Sequence, residues 1–239
     1  MGGHQADMRT MILLVLALGC SSGPSGDPCY PTTLPLSLCD PGTATFTLDS
    51  TNRYYPLITG SLTVLEGEDD GEFIRIERRV LDEVENVGGV MTHVLEHTEW
   101  VDGEIEEIAR NFYVETTDGT VCYFGEDVQN FRNGMPSNTN GSWRVGVDGA
   151  VPGIIMPANP AVGDAYFQEM GLDAMDMGRV VQVGATMTVN GTSYDDMVQI
   201  MDVNPLETCN EEEPKLYVPG IGEVADVDVV LVEYSEPAS

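Results

Sequence analysis

The 239-residue chain carries 40 Asp and Glu against 10 Lys and Arg, a formal net charge of −30 at pH 7. That balance excludes a nucleic-acid surface, which needs clustered cations to release counterions from phosphates. At 42% hydrophobic and 21% charged residues the composition is that of a folded chain rather than a disordered one, and the length fits one domain, with or without a tail. Lys215 is the sole lysine, so the surface is expected to be dominated by mutually repelling carboxylates that keep the protein soluble and monomeric.

Residues 1–20 read as an export signal. Arg9 precedes the apolar run Met11 to Leu18, which is too short to span a bilayer as a helix and ends at Gly19-Cys20. Met8-Arg9-Thr10 offers a second, more usual start. Leu16-Ala17-Leu18-Gly19-Cys20 resembles the lipobox of bacterial lipoproteins, which implies acyl chains on Cys20 as a membrane anchor. Ser21 and Ser22 stand where an Asp would signal inner-membrane retention, so the same resemblance implies the outer membrane. Removing residues 1–20 takes away Asp7 and Arg9 together, and the exported part keeps the whole net charge.

Residues 21–45 are expected to be a tether, opening on Ser21-Ser22-Gly23-Pro24-Ser25-Gly26-Asp27-Pro28 and containing Cys29 and Cys39. With Cys122 and Cys209 these make an even set in an exported chain, the signature of two disulfides. The favoured pairing is a local Cys29–Cys39 staple with Cys122–Cys209, and the other two connectivities stay open. There is no C-x-x-C or adjacent Cys/His pair to suggest a metal site.

Residues 46–235 read as a single all-β domain, followed by a tail at 236–239. Asp70-Gly71, Gly88-Gly89, Asp102-Gly103, Asp118-Gly119, Asn133-Gly134 and Asn190-Gly191 are hairpin dipeptides. Between them lie β-branched, alternating runs at 61–65, 73–78, 90–101, 104–115 and 120–124. After a long Gly/Pro-rich stretch at about 126–163, strands resume at 166–169, 179–189, 192–203, 216–218 and 227–234. No window offers an apolar stripe of helical period and length. The expected fold is an antiparallel meander of roughly nine to eleven strands, forming a curved sheet or incomplete up-and-down barrel.

His93-Val94-Leu95-Glu96-His97 matches the H-x-x-E-H pattern of inverted zinc peptidases. That chemistry needs a helix, whereas this run alternates like a strand and would hold its imidazoles roughly 13 Å apart. Met170, Met175 and Met177 are a soft sulfur set of the kind that selects Cu(I), although Met more commonly fills gaps under loops. No nucleophile motif is present, and no cofactor is indicated.

The most distinctive stretch runs from Gly141-Ser142-Trp143 through Gly146-Val147-Asp148-Gly149-Ala150-Val151-Pro152-Gly153-Ile154 to Met156-Pro157. With Tyr55-Pro56-Leu57, Tyr123-Phe124-Gly125-Glu126, Gly163-Asp164-Ala165-Tyr166-Phe167-Gln168-Glu169, Asn204-Pro205-Leu206-Glu207 and Tyr217-Val218-Pro219-Gly220-Ile221-Gly222, it resembles a family of bacterial secreted proteins and lipoproteins over about residues 53–234. The resemblance carries no activity or catalytic residue. Cys122 replaces the Trp that the family tends to place before Tyr-Phe-Gly-Glu, and Cys209 falls in a loop where relatives lack Cys; this joint departure implies a bond between them.

Function then divides in two, with a periplasmic Cu(I)-binding protein using Met170, Met175 and Met177 as a weaker third alternative. One reading is a non-enzymatic envelope protein whose concave sheet and central loop, with Trp143, Asp148, Pro152 and Met156 as candidates, take a small apolar ligand or an envelope partner. The other is a carboxylate-based hydrolase or metal-dependent enzyme using Glu126, Asp148, Asp164 and Glu169. An apolar groove favours the first, and buried, converging carboxylates favour the second.

Overall fold

A computed structural model describes residues 28–237. The export signal, Cys20, residues 21–27 and residues 238–239 lie outside the described residues. Fifteen strands form one antiparallel sheet: β1 (Phe46–Thr47), β2 (Leu62–Asp69), β3 (Glu72–Val87), β4 (Val90–Val101), β5 (Glu104–Thr116), β6 (Val121–Arg132), β7 (Met135–Asn138), β8 (Trp143–Arg144), β9 (Gly153–Met156), β10 (Ala165–Phe167), β11 (Met177–Val189), β12 (Thr192–Val203), β13 (Glu213–Val218), β14 (Gly222–Asp226) and β15 (Val229–Ser235). Among the described residues no helix is long and apolar enough to cross a membrane.

The strand order is β10-β11-β12-β13-β14-β15-β2-β3-β4-β5-β6-β7, a meander in which only the β15–β2 pairing joins distant parts of the chain. Its hairpins follow from the turn dipeptides. Asp70-Gly71, Asp102-Gly103, Asn133-Gly134 and Asn190-Gly191 hold positive φ at both residues, from 45° to 88°, which matches the twist of the strands they join. The strand count exceeds the expected nine to eleven because β1, β7, β8 and β9 are short pieces within segments that read as irregular and β14 lies between two expected strands. Three of these pieces occupy β6 in succession: β9 pairs Val121 to Tyr123, β8 pairs Gly125 and Glu126, and β7 pairs Asn130 to Arg132.

The sheet is curved and does not close into a barrel. Its two ends meet by packing, with β9 beside β10 but no ladder between them. Gly153 makes this approach possible, since a Cβ there would lie 1.9 Å from the carbonyl oxygen of Gln168. Gly153→Ala is therefore expected to cost about 2–4 kcal/mol. Gly71→Ala, at a turn of φ +88° with nothing within 4 Å, should cost only about 1 kcal/mol. Urea midpoints of the two variants check the difference.

The expected tether ends earlier than its assigned boundary. From residue 28 the chain lies against the sheet: Thr33 and Leu34 donate their amides to the Ala165 carbonyl at 2.8 and 3.2 Å, and Leu34, Leu38 and Phe46 pack on the main core. Past Cys29 the prolines are interleaved with apolar residues such as Leu34, Leu36 and Leu38, which have a surface to bury.

The expected disulfide pairing is corrected. The bonds are Cys29–Cys209 and Cys39–Cys122, with sequence separations of 180 and 83. The short 3-10 turn Leu36–Leu38 points Cys39 into the core beside the start of β6, where both Cys39 and Cys122 are fully buried. A local Cys29–Cys39 staple is incompatible with that placement. The pairing implied by the departure from the family pattern fails with it.

Candidate functional site

The curvature shapes a partly open cavity of about 270 Å³ whose wall draws on strands from both halves of the sheet. Arg78 comes from β3, His97 from β4, Glu107, Asn111 and Tyr113 from β5, and Tyr123 and Glu126 from β6. The β10–β11 connection contributes Gln168, Glu169 and Asp176, and Asp202, Lys215, Tyr217, Glu223 and Asp226 come from β12, β13 and β14. The β10–β11 connection is held by amide bonds from Gln168 to the Asp176 carbonyl at 2.7 Å and from Gly171 to Ala174 at 2.8 Å.

One side of the cavity is charge-matched. Arg78 pairs with Glu223 and lies 3.3 Å from Asp226, and its Nε donates to His97 Nδ1 at 3.3 Å. Lys215 Nζ lies 3.2 Å from Asp202 and 3.7 Å from Asp226, while Gln168 Nε2 donates to Asp202 at 3.0 Å. Burial alone would raise the Asp226 carboxyl, but the charges of Lys215 and Arg78 hold it below its ordinary value. Glu223 remains raised because burial outweighs its Arg78 partner. Burial lowers His97, and the adjacent Arg78 charge adds to the effect.

The opposite side is not charge-matched, although Lys215 bears on Asp176 and Glu169. Glu107, Glu126, Glu169 and Asp176 form no ion pair among the described residues. Burial pushes Glu126 up to about 8, reinforced by the Glu107 charge. Asp176 is pushed up to about 6 by burial in spite of Lys215, and Glu169 rises well above the carboxylate range through burial and the neighbouring Glu126. Beside this wall the Tyr113 and Tyr123 rings stack with centroids 4.5 Å apart, and Tyr55 meets Tyr113 edge-on at 5.2 Å. Both stacked tyrosines direct their hydroxyls at Asn111 Oδ1.

The stability of the fold should record this desolvation. With a folded pKa of about 8 against an ordinary 4.5, Glu126 is held protonated by the fold, so its stabilising contribution is full below 4.5 and disappears as pH rises through about 8. Glu126→Gln retains the neutral shape. It should match the wild type near pH 4 and exceed it by up to about 4–5 kcal/mol near pH 9, as read from urea midpoints.

The sequence-derived candidates separate into two groups. Glu126 and Glu169 meet at the cavity, whereas Asp148 and Asp164 do not line it. Asp148 is exposed in a turn at φ 50°, and Asp164 accepts the Ala161 amide at 2.8 Å to close a loop. Trp143 is buried behind the cavity, edge-on to Tyr123 at 5.2 Å. Met156 is a core residue of β9, and Met175 and Met177 are equally buried, so they fill the interior as the commoner reading of such residues holds. Met170 is half-buried. Pro152 lines a separate, open and largely apolar depression of about 440 Å³ with Leu36, Pro41, Val145 and Val151. His93 is a strand residue whose Nε2 lies 2.9 Å from the Leu48 carbonyl oxygen. Among the described residues no set of three or more His, Cys, Asp or Glu side chains is arranged to hold a metal ion.

Sequence reasoning missed Arg78, Glu107, Asp176, Asp202, Lys215, Glu223 and Asp226. One signal was in view: the sole lysine of a strongly acidic chain lies in the cavity.

Comparison with family models, curated proteins and solved structures found no match. Fold and site define an all-β protein with a polar cavity on its concave face, whose disulfides mark an oxidising, extracytoplasmic compartment.

Proposed function

We propose that this is a lipid-anchored envelope protein, tethered through Cys20 in the outer membrane, that captures a small polar molecule in the cavity between Tyr113, Glu126, Glu169 and Lys215. The observation that carries this reading is the lining of the cavity: about 270 Å³ of space bordered by tyrosine hydroxyls, amides and carboxyls drawn from strands far apart in sequence. Such a wall offers directional partners to a polar ligand and disfavours the apolar ligand expected from composition and the loop alone. Native mass spectrometry of the purified full chain in detergent, followed by identification of what denaturation releases, tests the reading. A polar adduct below the size of a disaccharide is expected. A long-chain apolar adduct would transfer the site to the Pro152 depression, and the absence of any adduct or of binding to a panel of polar metabolites would overturn it. Radiolabelled palmitate should enter the wild type but not Cys20→Ala; equal labelling would remove the anchor.

A hydrolytic reading is favoured by one specific feature. At neutral pH, Glu126 at about 8 holds a proton while Asp176 at about 6 is charged, which provides a donor and a base on one cavity. Turnover of aryl glycosides or esters that Glu126→Gln abolishes would support it, and cavity binding without turnover would set it aside.

A further inference from the structure

The charge-matched half of the cavity explains why Arg78 and Lys215 are there, but not why Glu107, Glu126, Glu169 and Asp176 crowd the same space with no ion pair among the described residues. Crowding four half-buried carboxyl groups in this way costs free energy unless something of opposite charge shares the space. A second feature points the same way. Tyr217 is 1% exposed and lines the cavity, and its hydroxyl makes no hydrogen bond to any described residue, leaving its oxygen accessible to an occupant from the cavity side. Tyr113 and Tyr123 add aromatic faces of the kind that hold ammonium groups.

The acidic lining also extends. A neighbouring cavity of about 210 Å³ shares Asp176, Asp202 and Lys215 with the first and is bordered by Glu207, Glu211 and Glu213. Two linked spaces with separate carboxylate sets suit an elongated molecule carrying more than one positive charge. No compact three-donor set exists for a metal ion among the described residues.

Resting on the proposal that the cavity binds a small polar molecule, we infer that its ligand is a linear di- or polyamine. One ammonium group lies among Glu126, Glu169 and Asp176 against the tyrosine faces, within reach of the Tyr217 hydroxyl. The next lies toward Glu207, Glu211 and Glu213.

The test is calorimetric titration of the purified full chain with spermidine at about pH 8 in about 150 mM salt, which screens the general acidic surface. One molecule should bind, and Glu169→Gln and Asp176→Asn should each weaken it by at least about tenfold. Glu68→Gln, on the exposed β2–β3 tip, should leave it unchanged. Equal affinity in the wild type and Glu169→Gln would assign the binding to the acidic surface and overturn the inference. If glucose binds with a heat that Glu169→Gln removes while spermidine does not bind, the amine inference fails and the polar-cavity reading stands. If neither binds and no adduct is found, both fail.

Discussion

Arg78→Met is expected to cost the fold about 3–5 kcal/mol, the loss typical of removing one partner from a buried ion pair. The Arg78 side chain is 15% exposed and its partners Glu223 and Asp226 are 9% and 17% exposed, so water replaces little of what the guanidinium provides. Asp226 keeps Lys215 at 3.7 Å, but Glu223 has no other cation partner among the described residues. The melting temperature should fall by roughly 10 °C for a domain of this size. The paired variant Arg78→Met/Glu223→Leu removes the stranded charge and should recover most of the loss. If the single variant melts within a degree or two of the wild type, the cavity is far wetter than its geometry indicates.

Cys39→Ala/Cys122→Ala should be comparably damaging. The bond closes a loop with a sequence separation of 83, for which chain entropy alone gives about 4–5 kcal/mol. Both cysteines are fully buried in the main core, so packing is lost as well. Cys209, in contrast, is exposed in the loop after β12. Under mild reductant Cys29–Cys209 should open first, with little loss of the sheet, and Cys39–Cys122 only on global unfolding. Timed alkylation and peptide mapping would show the order; simultaneous reduction would contradict it.

The parts of this fold that were legible in the sequence are those that local chemistry dictates. Asn190-Gly191 and Asp102-Gly103 specify their turns because few other residues tolerate two successive positive φ angles, and the strands they join alternate as a meander requires. β7, β8 and β9 were not legible, since their pairing depends on which stretch of β6 remains open to them rather than on their own propensity. The disulfide pattern was hidden for a related reason: spacing favoured a local staple, whereas apolar Leu34 and Leu38 carry Cys39 into the core.

The site was half legible. Glu126 and Glu169 stood out through their motifs, but Asp176, Asp202 and Glu223 looked like any other carboxylate in a chain that has 40 Asp and Glu. What distinguishes them is burial, produced when the sheet curves and brings β5 and β6 toward β12, β13 and β14. Asp148 and Asp164 were plausible for the same compositional reason and serve turns instead.

The central claim is that this concave face forms a desolvated acidic cavity, and carboxyl-detected NMR titration of the side-chain carbons tests it directly. The expected midpoints are about 8 for Glu126 and about 6 for Asp176. Midpoints at the ordinary 4.5 and 3.8 would show both groups fully hydrated and contradict the account.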